Sequence, residues 1–432
     1  MKKHLYFAFS IVVSLFSCKS STEQKSNTKV DHNTLLVAHN GSVFSVDLDG
    51  NKISWQHDSS LDTGGNRNYF AIDGQSIYLP YESGKLVNYD VTTGKIIWQE
   101  QIYGAEDQPM AMSSDPNDQA EMIKALMPLY MTTPLIDNGH VIIASTGQPT
   151  QATGWLYSFN KTNGSKKWTE QLPTTFNFYA PVRYKDNYFI NSAVYLNKYS
   201  VNEGTWTSYG MFDGMEVAGE GSSSGDPNHF DKPIYNQMQA NDKSMFIGDE
   251  SGKFYCLQFD KNGNLPDGDI TDPNNTFIRN PKVFKWVFSD EQFNFQKSHI
   301  TFLDDNTLYV EIKTGLADQS CIFALNADNG EVRWKKIIKG DVFNWALQGD
   351  KIVGSTENLI FWMNADGKNY VEMQTVNKPL SNIELRDKKY LIFATKDGIE
   401  SLDIDTKKSK VIFAKTFVEN TFNNIQIKYL PK

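Results

Sequence analysis

The chain has 432 residues, of which 40% are hydrophobic and 13% aromatic, and its 29 glycines and 15 prolines are spread along it as turn punctuation. That is ample apolar material for a large core, and too much chain for one small domain unless a repeat architecture is involved. The formal net charge of −9 repels phosphate backbones and anionic headgroups, which argues against nucleic-acid binding and against electrostatic attachment to a membrane.

The first 17 residues read as a secretory signal. Met1-Lys2-Lys3-His4 is a short basic region, and Leu5 to Phe16 is an apolar run too short to span a bilayer as a permanent helix. It ends in Leu15-Phe16-Ser17-Cys18, which resembles a bacterial lipobox and implies a diacylglyceryl group on Cys18. Each buried methylene of such a chain contributes about 0.8 kcal/mol to membrane binding. Residues 18–34 continue as a polar, lipidated flexible tether. Lys19 differs from the aspartate that retains some lipoproteins at the inner membrane, so the outer membrane is expected, with the protein facing the periplasm.

From residue 35 to 432 one pattern recurs: an apolar strand, a tight turn, a second strand ending in Asp or Asn, a Gly turn, and a third strand ending in Trp. The first copy is LLVAHNGSVFSVDLDGNKISW (Leu35 to Trp55), and the second is IYLPYESGKLVNYDVTTGKIIW (Ile77 to Trp98). Asp47–Trp55, Asp90–Trp98, Asn160–Trp168 and Asn326–Trp334 all share a spacing of eight. Degraded copies end at Trp206 and Trp286, and two more, LIFWMNADGKNYV and GIESLDIDTKKSKV, bring the count to eight. One further short strand precedes each copy except the first, which begins directly after the tether. The orphan strand FNNIQIKYL (Phe422 to Leu430) can supply it, so that blade one holds both chain ends. Four antiparallel strands per unit, eight units and a closing strand predict an all-β, eight-bladed β-propeller with no open edge. Asp or Asn and Gly suit the turns. The six tryptophans (Trp55, Trp98, Trp168, Trp206, Trp286 and Trp334) are expected to be apolar plates docking one blade on the next, their indole N–H groups available for backbone carbonyls.

These residues resemble the quinoprotein-type (PQQ-like) propeller repeat, with its Ala-x-Asp-x-x-Thr-Gly-x-x-x-Trp docking motif. Asp90–Trp98 (DVTTGKIIW) and Leu325–Trp334 (LNADNGEVRW) match it best. The resemblance covers the chain after the tether and implies the fold more strongly than the function. One branch, the quinoprotein dehydrogenases, holds pyrroloquinoline quinone and calcium on the propeller axis. It typically carries a disulfide between adjacent cysteines, which this chain lacks. The other is the BamB-like outer-membrane lipoprotein branch, a scaffold without cofactor; lipobox, tether and length agree with it. The resemblance therefore implies no enzyme activity and no quinone. The partners it implies are outer-membrane or periplasmic proteins such as a β-barrel assembly complex, with the chain a monomer outside its complex. A surface propeller binding glycans or peptides is the alternative. Aromatics in the links, among them Tyr69, Phe70, Tyr103, Phe176, Phe178 and Tyr179, could form its platform or could pack blade edges.

Three insertions interrupt the repeat. In 103–131, Asp118 can cap a short helix placing Met122, Ile123, Leu126 and Met127 on one face: either an adaptable partner surface or a lid packed on the propeller. The second, 210–232, reads as a solvated loop, with Asp226, His229 and Asp231 a weaker metal candidate. In 260–281, Asp260, Asn262 and Asn264 follow the start of a calcium loop, with Asp267 and Asp269 as further oxygen ligands for a structural calcium. Leu265 stands where such a loop needs Gly, and any long hairpin loop has a similar composition. No HExxH, GxSxG or phosphate loop is present, and no catalytic residue is assigned. Cys256 and Cys321 lie in corresponding strands of neighbouring repeats with opposite parity, which predicts two buried free thiols.

Overall fold

The computed structural model describes residues 29–432 except 60–61, 63–68, 82, 102–114, 116–129, 131, 146–153, 173–178, 193–194, 211–233, 235, 266–269, 273–274, 278–283, 296–299, 317 and 420–424. The described residues form eight antiparallel sheets in sequence order, the blades of a β-propeller. Blade two is representative, with strands Ala71–Asp73, Ser76–Pro80, Lys85–Asp90 and Ile96–Gln101 from inside to outside. Its two middle strands are buried at nearly every position, whereas the outer strand is largely exposed. Middle strands are covered on both sides by neighbouring blades, so they read as continuous apolar runs and not as alternating ones.

Blade one closes the ring. Its inner strand is Gln426–Leu430, paired antiparallel to Thr34–His39 with Val37 opposite Ile427. Both chain ends thus share a sheet, and the strand edge that would otherwise template aggregation is covered. The packed structure starts before the expected end of the tether: Val30 is buried with Trp55 and Ile77 between blades one and two. Cys18 lies outside the described residues.

The core is a ring of eight apolar clusters, one at each junction between blades, including that between blades eight and one. Each blade alone would leave both faces wet, so stability resides in the contacts between neighbours. The fourth blade departs from the four-stranded expectation. Outside its strand Thr205–Gly210 it gains a hairpin, Ile270–Asp272 and Asn275–Phe277, with Tyr209 paired in parallel to Thr276. That hairpin belongs to the 260–281 insertion of blade five, which is therefore partly sheet.

Candidate functional site

Alternating strand direction gives the propeller two chemically different faces. Links from an outer strand to the next inner strand, and turns between second and third strands, emerge on one side, here termed the connection face. The remaining turns form the turn face. The strands flanking 103–131 and 210–232 are an outer and the next inner strand, which end on the connection face, while 260–281 follows the third strand of blade five and precedes its outer strand, whose facing ends lie on the turn face. Met122, Ile123, Leu126 and Met127 lie outside the described residues. Tyr130, near the end of that insertion, is buried edge-on against Tyr157 with ring centroids 5.7 Å apart. Of the link aromatics, Phe70 is buried between blades one and two and supplies no platform.

The turn face carries the docking joints. In blade two, Asp90 Oδ1 accepts the N–H of Thr92 at 3.1 Å and of Thr93 at 2.7 Å, shaping the turn that ends at Gly94. Trp55 of blade one seats on that turn and donates its indole N–H to the Val91 carbonyl at 3.0 Å. Trp98 donates to the Lys161 carbonyl (2.9 Å), Trp286 to Ala327 (3.0 Å) and Trp334 to Ala365 (3.1 Å). Gly94, Gly164, Gly330 and Gly367 press on these indoles so closely that a Cβ on any of them would fall within 2.5–2.7 Å of a ring. Trp168 and Trp206 behave differently. Gly204, facing Trp168, has nothing within 4 Å of its Cβ position. The indole N–H of Trp206 is buried with no acceptor among the described residues.

Blade five docks on blade four by other means. Its turn presents Asp260, whose Oδ1 accepts the N–H groups of Asn262 and Asn264, both at 2.8 Å. Lys185 donates to the Asp260 carbonyl at 2.7 Å, and Lys198 donates to Asn264 Oδ1. Leu265 is buried in the core between blades four and five. The residues read as a calcium loop here make an Asx turn held by two ammonium groups. Asp267 and Asp269 lie outside the described residues. Among the described residues no group of three His, Cys, Asp or Glu side chains is placed to hold a metal.

Around the centre, side-chain amides bond the backbone of a neighbouring blade. Gln426 accepts from Phe70 N at 2.7 Å, and Gln237 takes Ala180 through both its N–H (3.0 Å) and its carbonyl (3.2 Å). Gln239 donates to Thr301 O at 2.9 Å, and Asn344 to Ser381 O at 3.0 Å. Asn382 binds Ile427 twice, at 2.9 and 2.8 Å. These amides satisfy backbone groups at the inner ends of the blades.

The family model described as outer membrane protein assembly factor BamB matches residues 19–119. Among solved structures the chain is similar to BamB from Moraxella catarrhalis, at 13% identity and a TM-score of 0.54, covering 89% of this chain and 98% of that one. It is also similar to the quinohemoprotein alcohol dehydrogenase from Comamonas testosteroni, at 12% identity and a TM-score of 0.53, covering 87% of this chain and 71% of that one. The chain shares the propeller fold of these proteins. A third relative, the dihydro-heme d1 dehydrogenase NirN, matches at 11% identity and a TM-score of 0.56, covering 93% of this chain and 76% of that one. No curated protein matches the chain. At such identities the relatives show the propeller fold and leave function to the residues.

The two described cysteines are free and buried. Cys256 and Cys321 do occupy opposite faces of their blades, but those are the faces that meet, and both lie in the cluster between blades five and six. Burial pushes the Cys256 thiol up to about 11 and the Cys321 thiol up to about 12, which suits packing and not nucleophilic chemistry.

Proposed function

We propose that this chain is a non-enzymatic, lipid-anchored scaffold of the bacterial cell envelope that holds partner proteins on the connection face of its propeller. One observation carries the reading. The three most exposed large hydrophobic residues among those described, Val376 (101%), Leu316 (89%) and Val418 (62%), all stand on that face. Scattered apolar residues are ordinary on a surface, but that the three most exposed all stand at link or turn tips on one side supports a partner covering that face. Val376 and Val418 adjoin Lys378 and Glu419, which form an ion pair at 2.5 Å beside a cleft of about 210 Å³. Such an apolar rim around an ion pair favours one docking register over others. The family model's description supports an outer-membrane assembly context, and Cys18 would supply the anchor.

The test is a mild-detergent pull-down of the tagged lipoprotein with Cys18→Ala and Val376→Asp/Val418→Asp controls, read by mass spectrometry. A β-barrel outer-membrane protein or assembly factor recovered with the wild type and lost with the double aspartate variant is the expected result. Recovery of the chain alone overturns the scaffold reading, and turnover of an alcohol on addition of quinone and calcium would replace it with a dehydrogenase.

A further inference from the structure

The joint between blades three and four is open where other joints are plugged. In blade two the residue after the turn's Asp is Val91, fully buried and bonded to an indole through its carbonyl. Its counterpart in blade six, Ala327, is 2% exposed and bonded in the same way. In blade four the counterpart is Val201, which is 43% exposed. The local cause is in the sequence: Ser200 heads this turn where Asp90, Asn160 and Asn326 head the others, and a hydroxyl organises the following N–H groups more weakly than a carboxylate or amide does. Trp168 packs instead towards Tyr199 and Tyr188, with ring centroids at 5.0 and 6.3 Å. A cleft of about 210 Å³ is left on the turn face, walled by Trp168 and Tyr188.

The polar lining of this cleft is preorganised and nearly neutral. Asp137 accepts from Arg183 at 2.6 Å and from the Tyr188 hydroxyl at 2.8 Å. Arg183 also approaches Asp186 at 3.6 Å. His140 and Asn202 complete the rim, and His140 Nδ1 is fixed to Ser158 at 2.9 Å. Asp137 and Arg183 neutralise each other, and Asp186 is 72% exposed and screened by solvent, so the lining offers no unpaired buried charge to an ionic ligand. A purely apolar ligand would leave these groups without water or partners. What remains is an uncharged ring with an apolar face and hydroxyls at its edge.

We propose that this opened joint binds a neutral sugar residue, its ring stacked on Trp168 and its hydroxyls bonded to the Asp137–Arg183 pair, His140 and Asn202. At about 210 Å³ the cleft has room for one pyranose ring, so the site reads a single residue of a glycan and binds weakly as a monosaccharide. It lies on the face opposite the proposed partner surface and does not depend on that reading.

The test uses the full-length lipoprotein in a detergent without a sugar headgroup. Saturation-transfer NMR and calorimetry would be run with neutral methyl pyranosides, a uronate, and arginine methyl ester. The expected result is saturable binding of at least one neutral glycoside and none of the uronate or the arginine ester. Trp168→Ala should weaken it at least tenfold. Asn202→Trp, at an exposed rim position that keeps the joint intact, should do the same by filling the cleft. Absence of glycoside binding by the folded protein overturns the proposal, as does glycoside binding unmoved by either variant. Binding of the arginine ester alone would make the cleft a site for cationic side chains instead.

Discussion

The indole of Trp55 sits so close to Gly94 of the next blade that a Cβ there would stand 2.5 Å from the ring, while its N–H reaches the Val91 carbonyl at 3.0 Å. Gly94 also has a φ of +68°, so any other residue there meets both a steric clash and an unfavourable torsion. Gly74, with a φ of +58° and nothing within 4 Å of its Cβ position, pays only for the torsion. Gly74→Ala should cost about 1 kcal/mol, and Gly94→Ala a further ~1–3 kcal/mol for displacing the indole. Urea or thermal unfolding of the two variants measures the difference; equal losses would mean that the seat is not tight.

Ring closure depends on the final strand and on amides that cross to it. Asn382→Ala leaves the backbone N–H and carbonyl of Ile427 without their partners and should cost about 1–3 kcal/mol. Removing residues 426–432 uncovers the edge of Thr34–His39. That truncated chain should aggregate, which size-exclusion chromatography would report.

Acid should loosen the junction between blades eight and one. Burial holds the His39 imidazole below its ordinary value, with Lys415 adding to the effect and the bond to the Val418 carbonyl at 3.1 Å opposing it. A folded-state value below the unfolded one of about 6.5 means that its contribution is complete above that pH and is lost as pH falls through the folded value. The melting temperature of the wild type should therefore drop as pH falls below about 6.5, and His39→Gln should flatten that part of the profile.

The thiols of Cys256 and Cys321 should resist a thiol reagent in the folded protein and both react once it is unfolded, measured in a Cys18→Ser chain. Their raised values mean that stability is complete below the ordinary thiol range and declines as pH climbs above it. Rapid labelling of either cysteine in the native state would contradict their placement between blades five and six.

Local chemistry was enough to read the repeat. The spacing of eight from Asp47, Asp90, Asn160 and Asn326 to their tryptophans reflects a turn and a strand that form within one blade, and the unpaired strand near residue 430 pointed to ring closure. Trp98 and Trp168 share that spacing, yet one is seated and the other borders a cleft, because each socket is built by the following blade: KTNG for Trp98, VNEG for Trp168. In the same way, the parity of Cys256 and Cys321 set their faces but not that those faces meet. The oxygens of Asp260 and Asn264 suggested calcium from the sequence, and that Lys185 and Lys198 reach this turn from another blade is visible only in the structure. Strands, turns and their count follow from neighbours along the chain. Which joints close, which charges meet and which side stays apolar depend on residues brought together across the ring, and only the tertiary structure decides them.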